Sequence, residues 1–210
     1  MHLNHIRCLL FDLDDTLYSQ SSGVWDMVRI RIDQYMQEEM GFPAEDVGPL
    51  RYRLFQQYGT TLRGLQKEYA VDMDAFLDYV HDIPLETVLK PNEELNQILT
   101  QFPQRKVVFT NANAAHAWRV LQALDVASHF EKIVDIYAVQ PFCKPHHEAF
   151  HKALTKIDEK PEACLLIDDS PKNLETAKNL RIATVSVGWH RHDGSPHINT
   201  ILDLPKIKFP

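Results

Sequence analysis

The amino-acid sequence predicts an α/β fold: a doubly wound, Rossmann-like parallel sheet of five strands with a helical cap domain inserted after the first strand. Three observations predict this fold. Short apolar runs bounded by polar residues are typical of buried strands. Helical and strand patterns alternate from residue 91 onward, which favours a parallel sheet with helices on both faces. Before residue 84, the sequence that follows the first strand shows helical spacing and no strand-like alternation.

The domain boundaries follow from the order of these patterns. Residues 1–17 and 89–210 are predicted to form the α/β catalytic core, and residues 18–88 are predicted to form the helical cap. The chain has 210 residues, which is enough for one well-buried core with a smaller appendage or for two small domains. We therefore expect a sheet whose first strand is separated in sequence from the other strands by the cap.

Composition and charge exclude several classes of function. The formal net charge of −7 argues against a nucleic acid polymer as partner. No apolar run reaches the length of a membrane span, so we expect no membrane partner. Cys8, Cys143 and Cys164 are far apart and match neither a disulfide framework nor a zinc spacing. We expect buried thiols and a cytoplasmic location, and the sequence indicates no protein partner.

Three helices are predicted within the cap. The first extends from Val24 to Met40, where a glycine and a proline end the helical pattern. The second extends from Leu50 to Tyr58. Residues 58–65 are polar and contain two glycines, so they are predicted to form a loop or a helix–helix connection. The third helix begins after Asp72 as its N-cap.

The core sequence continues the alternation to the end of the fifth strand. Strands are predicted near residues 106–110, 133–136, 164–167 and 183–187, with helices near residues 95–99, 117–124 and 150–157. One further helix is predicted to have Ser170 as its N-cap and Pro171 at its first position. The tail from Trp189 is expected to lie over the surface. Solvated surface positions are expected for the histidines at 146, 147, 190, 192 and 197.

Polar residues follow the predicted strands at the points where those strands end. Parallel strands present their carboxyl ends at one edge of a sheet, where ligands bind in open α/β folds. The acids among these residues suit a hard divalent cation, most simply Mg²⁺. A lysine and a threonine suit phosphate oxygens. One carboxylate could attack phosphorus while a second transfers protons. The residues in question are Asp12, Asp14, Thr16, Thr110, Asn111, Lys144, Asp168 and Asp169.

Four segments in order resemble the signature motifs of the haloacid-dehalogenase-like hydrolase superfamily. They are Asp12-Leu13-Asp14-Asp15-Thr16, Thr110-Asn111, Lys144-Pro145 and Asp168-Asp169-Ser170. The resemblance covers the whole α/β part, and the helical stretch after the first motif resembles that superfamily's helical cap. Its dehalogenases lack an acid at the position of Asp14, so Asp14 favours phosphatase chemistry.

The resemblance implies a role for each of these residues. Asp12 would be the nucleophile, and Asp14 would be the general acid and base. Magnesium would be held by Asp12, the backbone carbonyl of Asp14 and Asp168. Thr110, Asn111 and Lys144 would bind the phosphoryl group, and Lys144 would also steady Asp12. Asp169 and Thr16 would lie beside the site, where the Thr16 hydroxyl would support the turn.

A narrower resemblance points to the pyrimidine 5′-nucleotidase branch. It rests on Ser22-Gly23, residues 58–65, Thr110-Asn111-Ala112 and residues 142–146. This branch implies that the cap residues Thr60, Thr61 and Arg63 contribute to substrate selection. The expected activity is magnesium-dependent hydrolysis of a small phosphomonoester through an aspartyl-phosphate, with a pyrimidine nucleoside 5′-monophosphate as the substrate that the branch implies.

Several alternatives remain open at the level of sequence. Within the superfamily they are a sugar-phosphate phosphatase, a phosphoglycolate phosphatase and a phosphomutase. A phospho-acceptor signalling domain also places acids, a threonine and a lysine at a sheet edge, but it opens with its acidic pair, whereas Asp168-Asp169 comes last here. A catalytically silent binding protein is the remaining alternative. In the leading interpretation, the partner is a small phosphorylated metabolite.

Overall fold

The fold is built on one parallel sheet. A computed structural model describes residues 5–189, 191–192 and 194–207. The strand order is β3-β2-β1-β4-β5-β6, and each neighbouring pair is parallel. The strands are β1 (Cys8–Phe11), β2 (Arg105–Phe109), β3 (Lys132–Val134), β4 (Cys164–Asp168), β5 (Ala183–Val187) and β6 (His197–Ile198). The predicted α/β class with a parallel sheet is confirmed.

The predicted number of five strands is wrong, because the tail adds a sixth. Residues His197–Ile198 pair with the end of β5, and Ile198, Ile201 and Leu204 are buried in the core. A two-residue strand has too little sequence to show a strand pattern, and the prolines of the tail obscured it. The expectation that the tail lies over the surface is therefore wrong for these residues.

The predicted histidine exposure is met only in part. His146 and His147 are exposed, as expected, whereas His192 and His197 are half-buried. Each of the latter two hydrogen-bonds a serine hydroxyl: Nδ1 of His192 with Ser195 at 3.3 Å and Nδ1 of His197 with Ser186 at 3.2 Å. His190, like residues 1–4 and 208–210 of the predicted core, lies outside the described residues.

Four α-helices lie within residues 18–88, a segment between β1 and β2 that we call the helical insert. They are α1 (Val24–Glu38), α2 (Ala44–Tyr58), α3 (Thr61–Tyr69) and α4 (Met73–His81). Helix α1 packs on α4, where the Tyr35 and Phe76 rings meet edge to face with centroids 5.0 Å apart. Such aromatic contacts add to the burial of apolar surface. The buried apolar residues of the insert continue into those that pack on the sheet.

The predicted loop over residues 58–65 is wrong in its second half, because α3 begins at Thr61. The Thr60 hydroxyl accepts a hydrogen bond from the Arg63 backbone N–H at 3.1 Å, which caps the helix. Gly64 is a poor helix former in sequence terms. Here it lets α3 approach α2 closely, since a Cβ at this position would lie 2.6 Å from the Cβ of Leu54.

Replacing Gly64 with alanine should destabilise the protein by roughly 1–3 kcal/mol, because the added methyl group overpacks the α2–α3 contact. Denaturant unfolding would measure the loss. Gly48→Ala in α2 is the matched control, since nothing lies within 4 Å of its added Cβ. That control should be neutral or stabilise the helix by up to ~1 kcal/mol. Equal stability of the two variants would contradict the close approach.

The remaining helices flank the sheet and complete the α/β alternation. They are α5 (Glu93–Thr100), α6 (Ala114–Ala123), α7 (His147–Ile157) and α8 (Pro171–Asn179). Cys8, Cys143 and Cys164 are buried and free, as expected. Among the described helices, none combines the length and the apolar character needed to cross a membrane.

Candidate active site

The carboxyl ends of three central strands bring the predicted polar residues to one edge of the sheet. Asp12 follows β1, and its backbone N–H continues the ladder to Ile167 O of β4 at 2.9 Å. Thr110 follows β2 and likewise pairs with Val134 O of β3 at 3.0 Å. Asp168 is the last residue of β4. The strand ladder therefore sets the positions of these three side chains.

Lys144 joins two of these carboxylates. Its ammonium lies 2.7 Å from Asp12 Oδ1 and 2.8 Å from Asp168 Oδ2, and its side chain is only 1% exposed. Burial alone would lower the pKa of Lys144, but the two carboxylates outweigh it and raise that pKa above its ordinary value. Lys144 is therefore a buried cation paired with two buried acids. One of its three N–H donors remains for a further acceptor.

Asn111 holds the backbone of Lys144 rather than pointing its amide at a free anion. The Lys144 N–H donates to Asn111 Oδ1 at 2.9 Å, and Asn111 Nδ2 donates to the Lys144 carbonyl at 3.0 Å. The amide therefore fixes the loop that carries the lysine. Thr110 is 1% exposed, and its Oγ1 accepts the Ala112 N–H at 3.0 Å, which leaves the hydroxyl proton to donate.

Asp168 is fully buried and is held by groups from α8. Asn173 Nδ2 donates to both carboxylate oxygens, at 2.9 and 3.1 Å, and the Ser170 backbone N–H donates to Oδ1 at 2.9 Å. Helix α8 does begin at Pro171, but the Ser170 side chain makes no capping hydrogen bond. Sequence reasoning missed Asn173. The available signal was an amide on the buried face of an amphipathic helix.

Three acids crowd together in a way that suits a cation. One carboxylate oxygen each from Asp12, Asp168 and Asp169 lie within 4.8 Å of one another. Burial, with the charge of Asp168, raises the pKa of Asp12 to about 7 despite Lys144. Burial, with Asp12 and Asp168, raises the pKa of Asp169 to about 8. The Asp169 side chain makes no hydrogen bond to any described residue. The donor set fits a hard divalent cation with oxygen ligands.

The Asp14 side chain is half-buried and lies beside two hydrogen-bond donors from other residues. Tyr18 donates its hydroxyl to Asp14 Oδ1 at 2.5 Å, and His116 Nε2 lies 3.2 Å from the same oxygen. Burial would raise the pKa of Asp14, but the hydrogen bonds and charge of these neighbours lower it below its ordinary value. Sequence reasoning missed both donors. Tyr18 lies four residues after Asp14, whereas His116 had no local signal.

These residues open onto a cavity of about 850 Å³. Its polar part includes Asp12, Asp14, Thr110, Lys144 and Asp169. Its apolar part includes three exposed aromatic side chains: Trp25 and Phe55 from the insert and Trp189 from the end of the core. A volume of this size accommodates a small molecule. The cavity therefore joins a charged site to an aromatic surface.

Thr60, Thr61 and Arg63 are not among the residues that line this cavity. Thr60 caps α3, and Thr61 is buried. Arg63 Nη2 donates to the Ile136 and Phe142 carbonyls at 3.1 and 3.0 Å, so its guanidinium ties the insert to the loop that leads to Lys144. Thr16, by contrast, lies at the site, where its hydroxyl is 3.3 Å from Asp12 Oδ2.

Comparison with known proteins gives relatives by sequence and by structure. The chain is 26% identical over 196 residues to "Phosphate metabolism protein 8" of Saccharomyces cerevisiae, covering 85% of this chain and 60% of that protein's length. It is 25% identical over 185 residues to "Pyrophosphatase PpaX" of Bacillus cereus, covering 88% of this chain and 84% of the relative.

Among solved structures, the chain resembles the HAD-hydrolase YfnB from Bacillus subtilis, which is described as bound to magnesium. The TM-score is 0.67 with 17% identity, covering 96% of this chain and 97% of that one, so the likeness supports the fold alone. A family model described as haloacid dehalogenase-like hydrolase matches residues 6–181, which is most of the sequence. The chain therefore belongs to the haloacid dehalogenase-like hydrolases.

Proposed function

We propose that this protein is a magnesium-dependent phosphatase that hydrolyses a small phosphomonoester through an aspartyl-phosphate on Asp12. One observation carries the proposal: the Lys144 ammonium bridges Asp12 and Asp168 at the floor of a cavity of about 850 Å³, with Asp169 beside them. Phosphoryl transfer depends on concentrated charge and positioning, and this arrangement offers both. The Bacillus cereus relative is named a pyrophosphatase, which supports hydrolysis of a phosphoryl bond.

The acids of this site fit magnesium. We assign the ion to the carboxylates of Asp12 and Asp168 and to the backbone carbonyl of Asp14, with Asp169 beside them. Burial, together with the negative charge of neighbouring acids, raises the pKa values of Asp12 and Asp169, and a cation would relieve that negative charge. When bound, the ion would neutralise charge on the phosphoryl oxygens and help to keep the acids ionised.

In the first step, Asp12 attacks phosphorus and the bond between phosphorus and the ester oxygen breaks. The electron pair of that bond goes to the leaving oxygen, which takes a proton from the Asp14 carboxyl group. Because its neighbours lower the pKa of Asp14, the form of the protein that reacts is the one in which this carboxyl group carries a proton. Lys144 holds one oxygen of Asp12 and has one N–H donor left for the phosphoryl group. Thr110 donates its hydroxyl to that group, and Asn111 contributes by fixing the Lys144 backbone.

In the second step, Asp14 takes a proton from a water molecule that attacks the phosphoryl-aspartate. This attack releases inorganic phosphate and restores the Asp12 carboxylate, while Asp14 regains the proton that it donated. Dividing one displacement into two gives each step a positioned nucleophile. The same carboxyl group thus serves first as an acid and then as a base.

The helical insert acts in this proposal as a cap on the catalytic core, with the core at residues 1–17 and 89–210 and the cap at residues 18–88. The insert supplies Trp25 and Phe55 to the cavity, whereas the acids come from the core. The proposed selection of substrate therefore shifts from Thr60, Thr61 and Arg63 to the residues of the insert that line the cavity. Arg63 instead hydrogen-bonds two backbone carbonyls of the core.

We propose a pyrimidine nucleoside 5′-monophosphate as the substrate. A nucleobase presents a planar π-face, and Trp25, Phe55 and Trp189 offer partly exposed rings within the same cavity as the acids. This small phosphorylated metabolite is the only partner that the mechanism requires.

A second candidate substrate is pyrophosphate, which the name of the Bacillus cereus relative favours. A cytoplasmic location remains a prediction from the sequence.

A phosphate-release panel tests the activity and the substrate together. We expect release from UMP or CMP to exceed release from AMP, phosphoglycolate, glucose phosphates and pyrophosphate. A chelator of divalent ions should abolish phosphate release, and added Mg²⁺ should restore phosphate release. Activity that is indifferent to the chelator would exclude the proposed metal site. No net release of phosphate from any compound would favour a mutase or a silent protein, and a preference for pyrophosphate or phosphoglycolate would overturn the nucleotide assignment.

A further inference from the structure

We propose that His116 and Tyr18 are positioning residues that orient the Asp14 carboxyl group for proton transfer to the leaving oxygen, an inference that rests on the proposed function. Both donors reach the same atom, Asp14 Oδ1, at 3.2 and 2.5 Å. The other oxygen, Oδ2, has no hydrogen bond to the described residues, and Asp14 lines the cavity. Oδ2 is therefore the oxygen left to exchange a proton with a substrate.

The imidazole of His116 is held firmly enough to act as a fixed donor. Its side chain is fully buried, and its backbone N–H donates to the Asn113 side chain at 2.9 Å at the start of α6. Its Nδ1 is buried and has no partner among the described residues. A proton on that nitrogen would leave a buried donor unpaired, whereas a proton on Nε2 has Asp14 Oδ1 as its acceptor. We therefore assign the proton to Nε2, which faces Asp14.

A second histidine, which belongs to the helical insert, packs against the His116 ring. The His81 ring stacks on His116 with centroids 4.2 Å apart and an angle of 19° between the planes. Arg119 of α6 donates to the His81 and Ile83 carbonyls, at 2.9 and 2.6 Å, which fixes the end of α4 against α6. The orientation of Asp14 is thus tied to the contact between insert and core.

This arrangement makes a specific chemical prediction. When the P–O bond breaks, an alkoxide leaving group needs a proton from Asp14, whereas a p-nitrophenolate departs readily without one. Loss of the correct orientation should therefore slow the cleavage of alkyl esters and leave that of p-nitrophenyl phosphate almost unchanged. Damage to the phosphoryl site itself would slow both reactions together.

The test compares kcat/KM for benzyl phosphate and p-nitrophenyl phosphate, two esters of similar shape with poor and good leaving groups. We expect His116→Gln to lower kcat/KM for benzyl phosphate ~10- to 100-fold, a part of the ~10²–10⁴-fold that a general acid supplies. The value for p-nitrophenyl phosphate should change by less than about 3-fold, because its leaving group departs without a proton from Asp14. Asp14→Asn should show the same contrast more strongly.

Tyr18→Phe keeps the buried ring and removes only the hydroxyl, so it tests the idea if His116→Gln fails to fold. Tyr79→Phe is its matched control, because the Tyr79 hydroxyl bonds Glu38 on the exposed surface and should not affect either ester. Equal losses on both esters, or no loss on benzyl phosphate, would overturn the positioning role. A wild-type protein that hydrolyses neither ester would instead refute the proposed function, and the inference with it.

Discussion

Replacing Asp12 with asparagine should reduce phosphate release from p-nitrophenyl phosphate by at least ~10⁴-fold, as loss of a covalent nucleophile does in other hydrolases. An amide oxygen still accepts a hydrogen bond from Lys144, so the site keeps its shape, but the group can no longer attack phosphorus. Steady-state release of nitrophenol measures the loss. Rapid mixing of the wild-type protein with substrate should trap an acid-stable phosphoprotein that the variant lacks.

The loss of activity should not come from unfolding. Burial and Asp168 raise the pKa of Asp12 to about 7, so the ionised carboxylate carries a folding cost at neutral pH. Asp12→Asn should therefore unfold at the same or a higher denaturant concentration. Asp46→Asn, at an exposed position in the first turn of α2, is the matched control and should retain full activity. Retained hydrolysis in Asp12→Asn would rule out attack by this aspartate.

Three of the predicted site residues that lie close together share one property: each follows a predicted strand. Asp12, Thr110 and Asp168 were predictable because strand order alone brings the carboxyl ends together. Lys144 needed its motif, since the loop that carries it has no regular pattern. The sixth strand was missed because its two residues pair only through tertiary contact with β5. A strand can therefore be predicted from the sequence only when it is long enough to show a periodic pattern.

The support around the site could not be predicted, because it depends on contacts between residues far apart in sequence. His116 lies 102 residues from Asp14, and Asn111 lies 33 residues from the Lys144 backbone that it holds. Arg63 is the opposite case, because the predicted contact is replaced by a different one. The branch resemblance implied a substrate contact, yet Arg63 donates to two backbone carbonyls of the core. The residue type indicates which kinds of hydrogen bond a side chain can make, whereas the fold determines which residue is its partner.

Replacing Lys144 with methionine should remove activity and also destabilise the protein by about 3–5 kcal/mol at pH 8, because it leaves Asp12 and Asp168 buried without their cation. Denaturant unfolding with a chelator present measures this cost without a competing metal ion. Lys106→Met is the matched control. Lys106 is also buried, but it donates to the backbone carbonyls of Phe102 and Gln104. Its loss should cost only about 1 kcal/mol.

The pH dependence separates loss of charge pairing from loss of packing. Without Lys144, the pKa of Asp12 should rise further above its wild-type value of about 7, whereas an unfolded aspartate titrates near ~3.9. Between these values the folded variant binds more protons than the unfolded chain, so its stability increases as the pH falls. The deficit of Lys144→Met should therefore shrink between pH 8 and pH 5, while that of Lys106→Met stays constant. A deficit that is independent of pH would show that Lys144 stabilises the fold by packing rather than by pairing with the nucleophile.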